Sequence, residues 1–91
     1  MSTPVGPVLV EGPETDAVIA AIRELNAEVT VMDRGAYLRV EVPNRCVVTR
    51  AAIERGLGRP FVLPGDLERI MTSFKGALSV ASDLAAWEAR G

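Results

Sequence analysis

The chain opens with an apolar run whose composition is typical of a β-strand. The run extends from Val5 to Val10, is rich in valine and is interrupted by Gly6-Pro7. β-Branched residues favour strands, whereas proline has no N–H group to donate to a neighbouring strand. The pattern therefore predicts a first strand that lies at the edge of a sheet.

The apolar residues that follow Gly12-Pro13 change to helical spacing. Val18, Ile22 and Leu25 recur at i, i+4 and i+7, and Arg23 falls on the other side. This spacing places the apolar residues on one side of a helix. The segment is predicted to be an amphipathic helix that covers one face of a sheet.

Alternation of apolar and polar residues marks the next two segments. Residues 28–32 and 36–42 flank Asp33-Arg34-Gly35, a sequence suited to a tight turn. The two segments are predicted to pair as a hairpin, with Leu38, Val40 and Val42 on one face. The opposite face is available to solvent or to a partner and carries Tyr37, Arg39 and Glu41.

The second half of the chain predicts a short strand and two helices. The strand covers residues 46–48, after a turn at Pro43-Asn44. Thr49 suits the N-cap of a helix that runs through Leu57 and is ended by Gly58. Phe61 and Leu63 are predicted to pack the connector. Helical spacing then predicts a further helix that includes Leu67, Ile70, Met71 and Phe74.

The predicted order of elements is β-α-β-β-β-α-α-β, with the last strand around Leu78 and Val80. The tail, residues 84–89, is rich in alanine, which favours helix. This order defines an α+β protein, in which about three helices cover one side of a mostly antiparallel β-sheet. A chain of 91 residues makes one core, so we expect a single compact domain over residues 1–91. Residues 1–4 and 90–91 are expected to be flexible.

Composition and charge exclude several classes of protein. The hydrophobic fraction of 48% and the charged fraction of 24% are typical of a globular domain. A net charge of −2 gives no basic surface for nucleic acid. No run approaches the ~20 apolar residues that cross a membrane, and the single cysteine, Cys46, forms no internal disulfide. We therefore expect a cytoplasmic protein that does not bind nucleic acid or membranes.

The chain contains no histidine, which removes most catalytic and metal sites. Di-iron sites of the Glu-x-x-His type, zinc sites and acyl-transfer triads all depend on imidazole or on cysteine clusters. Cys46 lies in an apolar run, where burial raises the pKa of a thiol, so we expect a core residue. No glycine-rich phosphate loop is present. The sequence predicts no cofactor and no metal site.

Carboxylates near two predicted helix starts leave one enzymatic alternative open. Paired carboxylates can act as general acid and base. At the first turn of a helix, however, the same side chains complement the helix dipole. The residues concerned are Glu11, Glu14, Asp16, Asp66 and Glu68.

Several motifs together resemble the small effector, or coupling, proteins of bacterial soluble di-iron monooxygenases. The resemblance covers about residues 5–80 and keeps the family's order and spacing. It is closest to the toluene, alkene and isoprene monooxygenase branch, because only four residues precede Val5, whereas the methane-oxidising type carries a long extension. The matching segments are VGPVLV (5–10), DRGAYLRV (33–40), VTR (48–50), LGRPF (57–61) and TSFKG (72–76).

The resemblance implies a function without catalysis. Members of this family are cofactor-free α+β domains that dock on the hydroxylase above its di-iron centre. There they tune oxygen activation, substrate access and the coupling of electron transfer to hydrocarbon oxidation. It implies a monomer that binds the hydroxylase of its own system, with functional interplay with the ferredoxin and reductase. It also suggests a terminal strand for the tail.

Carried over onto this chain, the resemblance gives a set of residues that contact the hydroxylase. Several of them have a structural alternative: turn solvation for Arg34, sheet packing for Tyr37, helix capping for Asn26 and Arg59, and the core for Phe61. The predicted contact residues are Asn26, Arg34, Tyr37, Arg50, Arg59, Phe61, Ser73, Phe74 and Gly76.

Two positions depart from the family pattern, and one further class of protein remains open. Gly35 replaces a second charged residue in the hairpin turn, and Trp87 is the only aromatic residue of the tail. The alternative to an effector is a small metabolite-binding regulatory α+β domain. The feature that separates the two is a glycine-rich or charged ligand loop, which this sequence lacks.

Overall fold

The computed structural model describes residues 2–90, so Met1 and Gly91, at the ends expected to be flexible, lie outside the described residues. Within this range the helices are α1 (Pro13–Leu25), α2 (Arg50–Leu57) and α3 (Gly65–Ile70). The strands are β1 (Pro4–Val10), β2 (Thr30–Asp33), β3 (Tyr37–Pro43), β4 (Arg45–Thr49), β5 (Met71–Lys75), β6 (Ala77–Val80) and β7 (Leu84–Glu88).

The described strands form two antiparallel sheets. The larger has the order β2-β3-β1-β5, and the smaller has the order β4-β7-β6. The predicted α+β class, the antiparallel pairing and the helices are confirmed. The predicted order gave one strand after the last helix, whereas the structure has β5, β6 and β7 there.

Strand β1 occupies a central position in the larger sheet, so its predicted place at an edge is wrong. The ladder between β1 and β3 skips Gly6 and Pro7, which pair with Lys75 and Phe74 of β5 instead. The gap in this ladder coincides with the proline, which has no N–H group to donate.

Helix α1 begins at Pro13, as predicted, because proline suits the first position of a helix. Thr15, in its first turn, donates its hydroxyl to the carbonyl oxygen of Val10 and so joins the helix to β1. Val18 and Ile22 are fully buried, which confirms the predicted apolar side. This side packs on the core between the two sheets together with residues of every other element.

Helix α2 has the predicted caps at both ends. Thr49 Oγ1 accepts a hydrogen bond from the N–H group of Ala52 at 3.2 Å. Gly58 ends the helix in the left-handed conformation with a φ of 77° and donates its N–H group to Glu54 O at 2.8 Å. These caps satisfy backbone groups that have no partner inside the helix.

The third predicted helix is shorter than its apolar spacing suggested. It ends at Ile70, and the chain continues from Met71 as strand β5. The segment Thr72-Ser73-Phe74 consists of residues with low helix propensity, and Thr and Phe favour strands. Pairing with β1 therefore prevails over the helical spacing.

The tail forms strand β7, the middle strand of the smaller sheet. Trp87 is opposite Cys46 on one side and Leu78 on the other, and its side chain is fully buried. Asn44, in the turn before β4, holds both ends of the described chain. Its N–H group donates to Thr3 O at 2.8 Å, and its carbonyl oxygen accepts from the N–H group of Ala89 at 2.8 Å.

Candidate docking surface

One face of the larger sheet carries a row of side chains that crosses all its strands. Met32 of β2 is opposite Arg39 of β3, Arg39 is opposite Val8 of β1, and Val8 is opposite Ser73 of β5. Residues opposite each other in antiparallel strands have their side chains on the same face. We call Met32, Arg39, Val8 and Ser73 the central row, and the face that contains it the outer sheet face.

The protein core lies on the other side of this sheet. Leu9 and Val40 alternate with Val8 and Arg39 along their strands and belong to the buried core. Val8 is nevertheless only 5% exposed, so neighbouring side chains of the outer sheet face cover it. Arg39, its cross-strand neighbour, suits this role because the aliphatic part of arginine packs well on apolar surface.

An ion pair spans the central strand next to this row. Lys75 Nζ lies 3.3 Å from Glu41 Oε2, and the two residues belong to the strands on either side of β1. Gly6 is the residue of β1 opposite Lys75. A side chain at Gly6 would collide with the carbonyl oxygen of Val40. The close approach of the strands therefore requires glycine at this position.

The hairpin turn ends the outer sheet face and presents two predicted contact residues. Asp33 Oδ1 accepts from the N–H group of Gly35 at 2.8 Å, and the N–H group of Arg34 donates to Tyr37 O at 2.9 Å. Arg34 is exposed, with Nη2 3.9 Å from Met32 Sδ. Tyr37 is 41% exposed. Both side chains are accessible to a partner.

Ser73 and Phe74 are also accessible, on strand β5. Ser73 is exposed in the central row, and Phe74 is 42% exposed. Phe74 is opposite Pro7 and therefore points to the other face, at the edge of the sheet that β5 forms. The structure thus brings Arg34, Tyr37 and Ser73 to one face and places Phe74 at its border.

Asn26, by contrast, uses its side chain to join α1 to β4. Its Nδ2 donates to Ile22 O at 2.8 Å and to Val47 O at 2.7 Å. Its Oδ1 accepts from the N–H group of Val47 at 3.0 Å. The amide group thus caps the helix and completes the edge of β4, which is the structural alternative considered for this residue.

Gly76 and Phe61 also contribute to the fold itself. Gly76 has a φ of 100°, and a Cβ there would lie 2.8 Å from both Glu88 O and Val5 Cγ1. Phe61 is fully buried, so its side chain offers no surface to a partner in this conformation. The ring belongs to the core, which is the structural alternative considered for this residue.

Arg50, at the start of α2, and Arg59, in the connector after α2, are exposed but do not belong to the outer sheet face. Arg50 Nε lies 3.4 Å from Glu54 Oε2, and its Nη1 donates to Ser82 O at 3.5 Å. Arg59 Nη1 lies 3.9 Å from Glu14 Oε2. Both side chains join neighbouring segments of the fold.

Two of the carboxylates considered for catalysis, Glu14 and Asp66, form ion pairs with Arg69. Glu14 accepts two hydrogen bonds from Arg69, at 2.9 and 2.8 Å, and this contact lowers the pKa of Glu14 despite some desolvation. Asp66 accepts hydrogen bonds from the N–H group of Val62 at 2.7 Å and from Arg69 at 3.2 Å. Both bonds lower the pKa of Asp66, and the bond from Val62 contributes most. A lowered pKa keeps a carboxylate ionised, which does not suit a general acid at neutral pH.

Cys46 is a core residue, as predicted. Its side chain is fully buried, and burial raises the pKa of the thiol to about 12. The thiolate is the reactive form of cysteine, so this residue does not suit a nucleophile.

Within residues 2–90 the structure contains no cavity large enough for a ligand and no cluster of three or more side chains that could hold a metal ion. None of the helices in this range is long and apolar enough to cross a membrane.

The structure adds Arg39 and Met32 to the residues that sequence reasoning proposed for a contact surface. Both lie in the central row of the outer sheet face. Alternation along the third strand had placed Arg39 between Tyr37 and Glu41 on the open face. The cross-strand neighbours could not be read from the sequence, because the register of four strands determines them.

The fold and its exposed sheet face define a small α+β domain whose accessible residues suit contacts with another protein. A model of the MmoB/DmpM family matches residues 3–88, so the chain belongs to this family. The chain is 45% identical over 85 residues to the effector subunit of the alkene monooxygenase system of Xanthobacter autotrophicus (strain ATCC BAA-1158 / Py2). That alignment covers 91% of this chain and 83% of the relative.

A solved structure has the same fold. A chain in the structure of the phenol hydroxylase–regulatory protein complex superposes with a TM-score of 0.85 at 20% identity, over 97% of this chain and 100% of that one. The predicted family resemblance is confirmed by the family match and the effector relative. The chain is a regulatory effector component and not the catalytic one.

Proposed function

We propose that this protein docks on the hydroxylase component of a soluble di-iron monooxygenase and tunes its oxidation of a hydrocarbon. The observation that carries the proposal is the family match over residues 3–88, together with 45% identity to an alkene monooxygenase effector subunit. The structural relative comes from a complex of a hydroxylase with its regulatory protein. A cytoplasmic monomer that acts alongside a ferredoxin and a reductase is part of this proposal.

The docking surface includes the outer sheet face, where Arg34, Tyr37 and Ser73 lie, and the adjoining Phe74. Tyrosine and arginine often supply much of the binding energy at protein interfaces. Both are accessible here, and the turn that carries them is fixed by hydrogen bonds within the hairpin. A pre-ordered surface loses less conformational entropy when it binds.

The effector acts on the hydroxylase by preferring one of its conformations. A partner that binds two conformations equally well shifts neither, however tightly it binds. A preference of about 1–3 kcal/mol changes the ratio of two conformations by about 5- to 150-fold. No chemistry on the effector is required for such a change.

The test is a titration of the hydroxylase and its electron-transfer proteins with this protein. The rate of substrate oxidation and the product formed per electron pair consumed are measured together. Both are expected to rise and to saturate near one effector per active site. A flat response, with no complex seen by analytical ultracentrifugation, would contradict docking and favour the metabolite-binding alternative.

Variants locate the surface. Arg34→Ala with Tyr37→Ala is expected to raise the effector concentration needed for half saturation by about tenfold or more, since both side chains are accessible. Arg55→Ala is the matched control, because Arg55 is exposed and forms an ion pair with Glu24 of α1 instead. Equal effects of the two changes would argue against the outer sheet face.

A further inference from the structure

We infer that Arg39 is the anchor of the outer sheet face and that its guanidinium receives a carboxylate of the hydroxylase. This assignment rests on the proposed function and adds the chemistry of the partner site. Arg39 lies in the central row, between Met32 and Val8. It was not among the contact residues that the family motif suggests.

The first observation is a hydrogen-bond donor without a partner. Arg39 Nε is buried and has no hydrogen-bond partner among residues 2–90. A buried polar group without a partner opposes folding, and such groups are uncommon in native proteins. A donor of this kind on an open sheet face is explained if an acceptor arrives with another molecule.

The second observation is that one acidic side chain of β3 and one of β2 already have partners. Glu41, two residues along the same strand, pairs with Lys75 across β1 at 3.3 Å. Asp33, in the hairpin, accepts from the N–H group of Gly35 at 2.8 Å. Arg39 is the charged residue of the central row, and within residues 2–90 it forms no ion pair.

The side chains around Arg39 suit the guanidinium group at the centre of an interface. Met32 and Val8 are the apolar cross-strand neighbours of Arg39, one on each side. Ser73, opposite Val8, continues the row with a small polar side chain. Tyr37, two residues before Arg39, stands beside it and is accessible. Aromatic and arginine side chains around a partly desolvated centre are typical of strong interface contacts.

Docking turns the guanidinium away from the sheet far enough for both oxygens of a carboxylate to accept from Nε and from one terminal nitrogen. Arginine and carboxylate groups commonly form such paired hydrogen bonds. Lysine carries the same charge but cannot reproduce the planar fork. The partner site on the hydroxylase is thus an aspartate or glutamate side chain that faces the central row.

The experiment compares Arg39→Met and Arg39→Lys with wild type in two measurements. Unfolding in urea is followed by the fluorescence of Trp87, the only tryptophan of the chain. The Kd for the hydroxylase is measured at a temperature at which circular dichroism shows every variant folded. Lys75→Met serves as the control, because Lys75 already has Glu41 as a partner within the chain.

We expect Arg39→Met to keep or raise the urea midpoint, because it removes a donor without a partner, and to raise the Kd by about tenfold or more. Arg39→Lys is expected to restore only part of the affinity. The change for Lys75→Met is expected to stay within about threefold, as is usual for a charge at the border of an interface.

Two results would overturn the assignment. An Arg39→Met variant with a lower urea midpoint and an unchanged Kd would make Arg39 a structural residue of the sheet. A wild-type protein that does not bind the hydroxylase would remove the proposed function and this assignment together. The two failures are distinct, since only the second affects the wild type.

Discussion

Gly76 shows how a residue within a family motif can be required by the fold itself. It connects β5 to β6 with a φ of 100°, and a Cβ at this position would collide with Val5 and with the backbone of Glu88. A left-handed backbone costs most residues about 1–2 kcal/mol. The collision of a Cβ with its surroundings adds to that cost, so alanine is excluded here for two separate reasons.

Gly76→Ala is expected to destabilise the protein more than Gly35→Ala. Gly35 also has a positive φ, of 86°, but a Cβ there meets nothing within 4 Å. Gly35→Ala should therefore lower the free energy of unfolding by about 1 kcal/mol and Gly76→Ala by about 3 kcal/mol or more. Urea unfolding followed by tryptophan fluorescence measures both, and equal losses would contradict the steric argument.

Individual side chains mark the limit of what the sequence could predict. The caps of α2 at Thr49 and Gly58 follow from local residue chemistry, and the structure has both. The role of Asn26 depends on Val47, which is 21 positions away. Contacts between residues so far apart in the sequence arise from the tertiary fold. The sequence alone therefore could not decide whether Asn26 contacts a partner or joins elements of the fold.

Helices α1 and α3 are joined by an ion pair that responds to pH. Glu14 of α1 accepts two hydrogen bonds from Arg69 of α3, and its side chain is only 15% exposed. The contact lowers the pKa of Glu14 below its ordinary value of 4.5. The pair therefore stabilises the fold above that ordinary value, and this contribution is lost as the pH falls through the lower pKa of the folded state.

Glu14→Gln is expected to lower the free energy of unfolding at pH 7 and to change it much less near pH 3. Glu68→Gln is the matched control, because Glu68 lies exposed on the same helix as Arg69 and forms no ion pair within residues 2–90. Urea midpoints at the two pH values measure the effect. If Glu14→Gln and wild type had equal urea midpoints at both pH values, the ion pair would contribute nothing to the stability of the fold.

Strand β5 shows why some elements escape prediction. Leu67, Ile70, Met71 and Phe74 have helical spacing, but only the first two lie in α3. Short apolar patterns fit more than one structure, and strand pairing with β1 decides between them here. The hairpin of β2 and β3 was predicted correctly because its alternation and its turn agree.

The whole molecule has a single thiol, whose burial makes its modification a measure of global unfolding. Cys46 lies in β4 and faces Trp87 of β7, in the centre of the core. Burial raises the pKa of the thiol to about 12. At pH 8 the thiol of the folded state is therefore almost entirely protonated.

Modification of Cys46 by iodoacetamide is accordingly expected to follow unfolding. The folded protein should react slowly at pH 8, and the rate should rise with urea in parallel with the loss of buried tryptophan fluorescence. Mass spectrometry of the labelled fraction measures this, with no background because the chain has one cysteine. Fast labelling without urea would place Cys46 in a region that opens independently of the core.

The hydrogen bonds of Asn44 have a practical consequence for the topology of the chain. One residue holds Thr3 and Ala89 at the same corner of the molecule, through contacts of 2.8 Å to each. A short glycine-rich linker could join these positions and produce a circular protein with the same strand order. Closing the chain in this way reduces the entropy of the unfolded state. The ring would keep the outer sheet face intact, since the bridged corner lies at the opposite end of β3 from Tyr37.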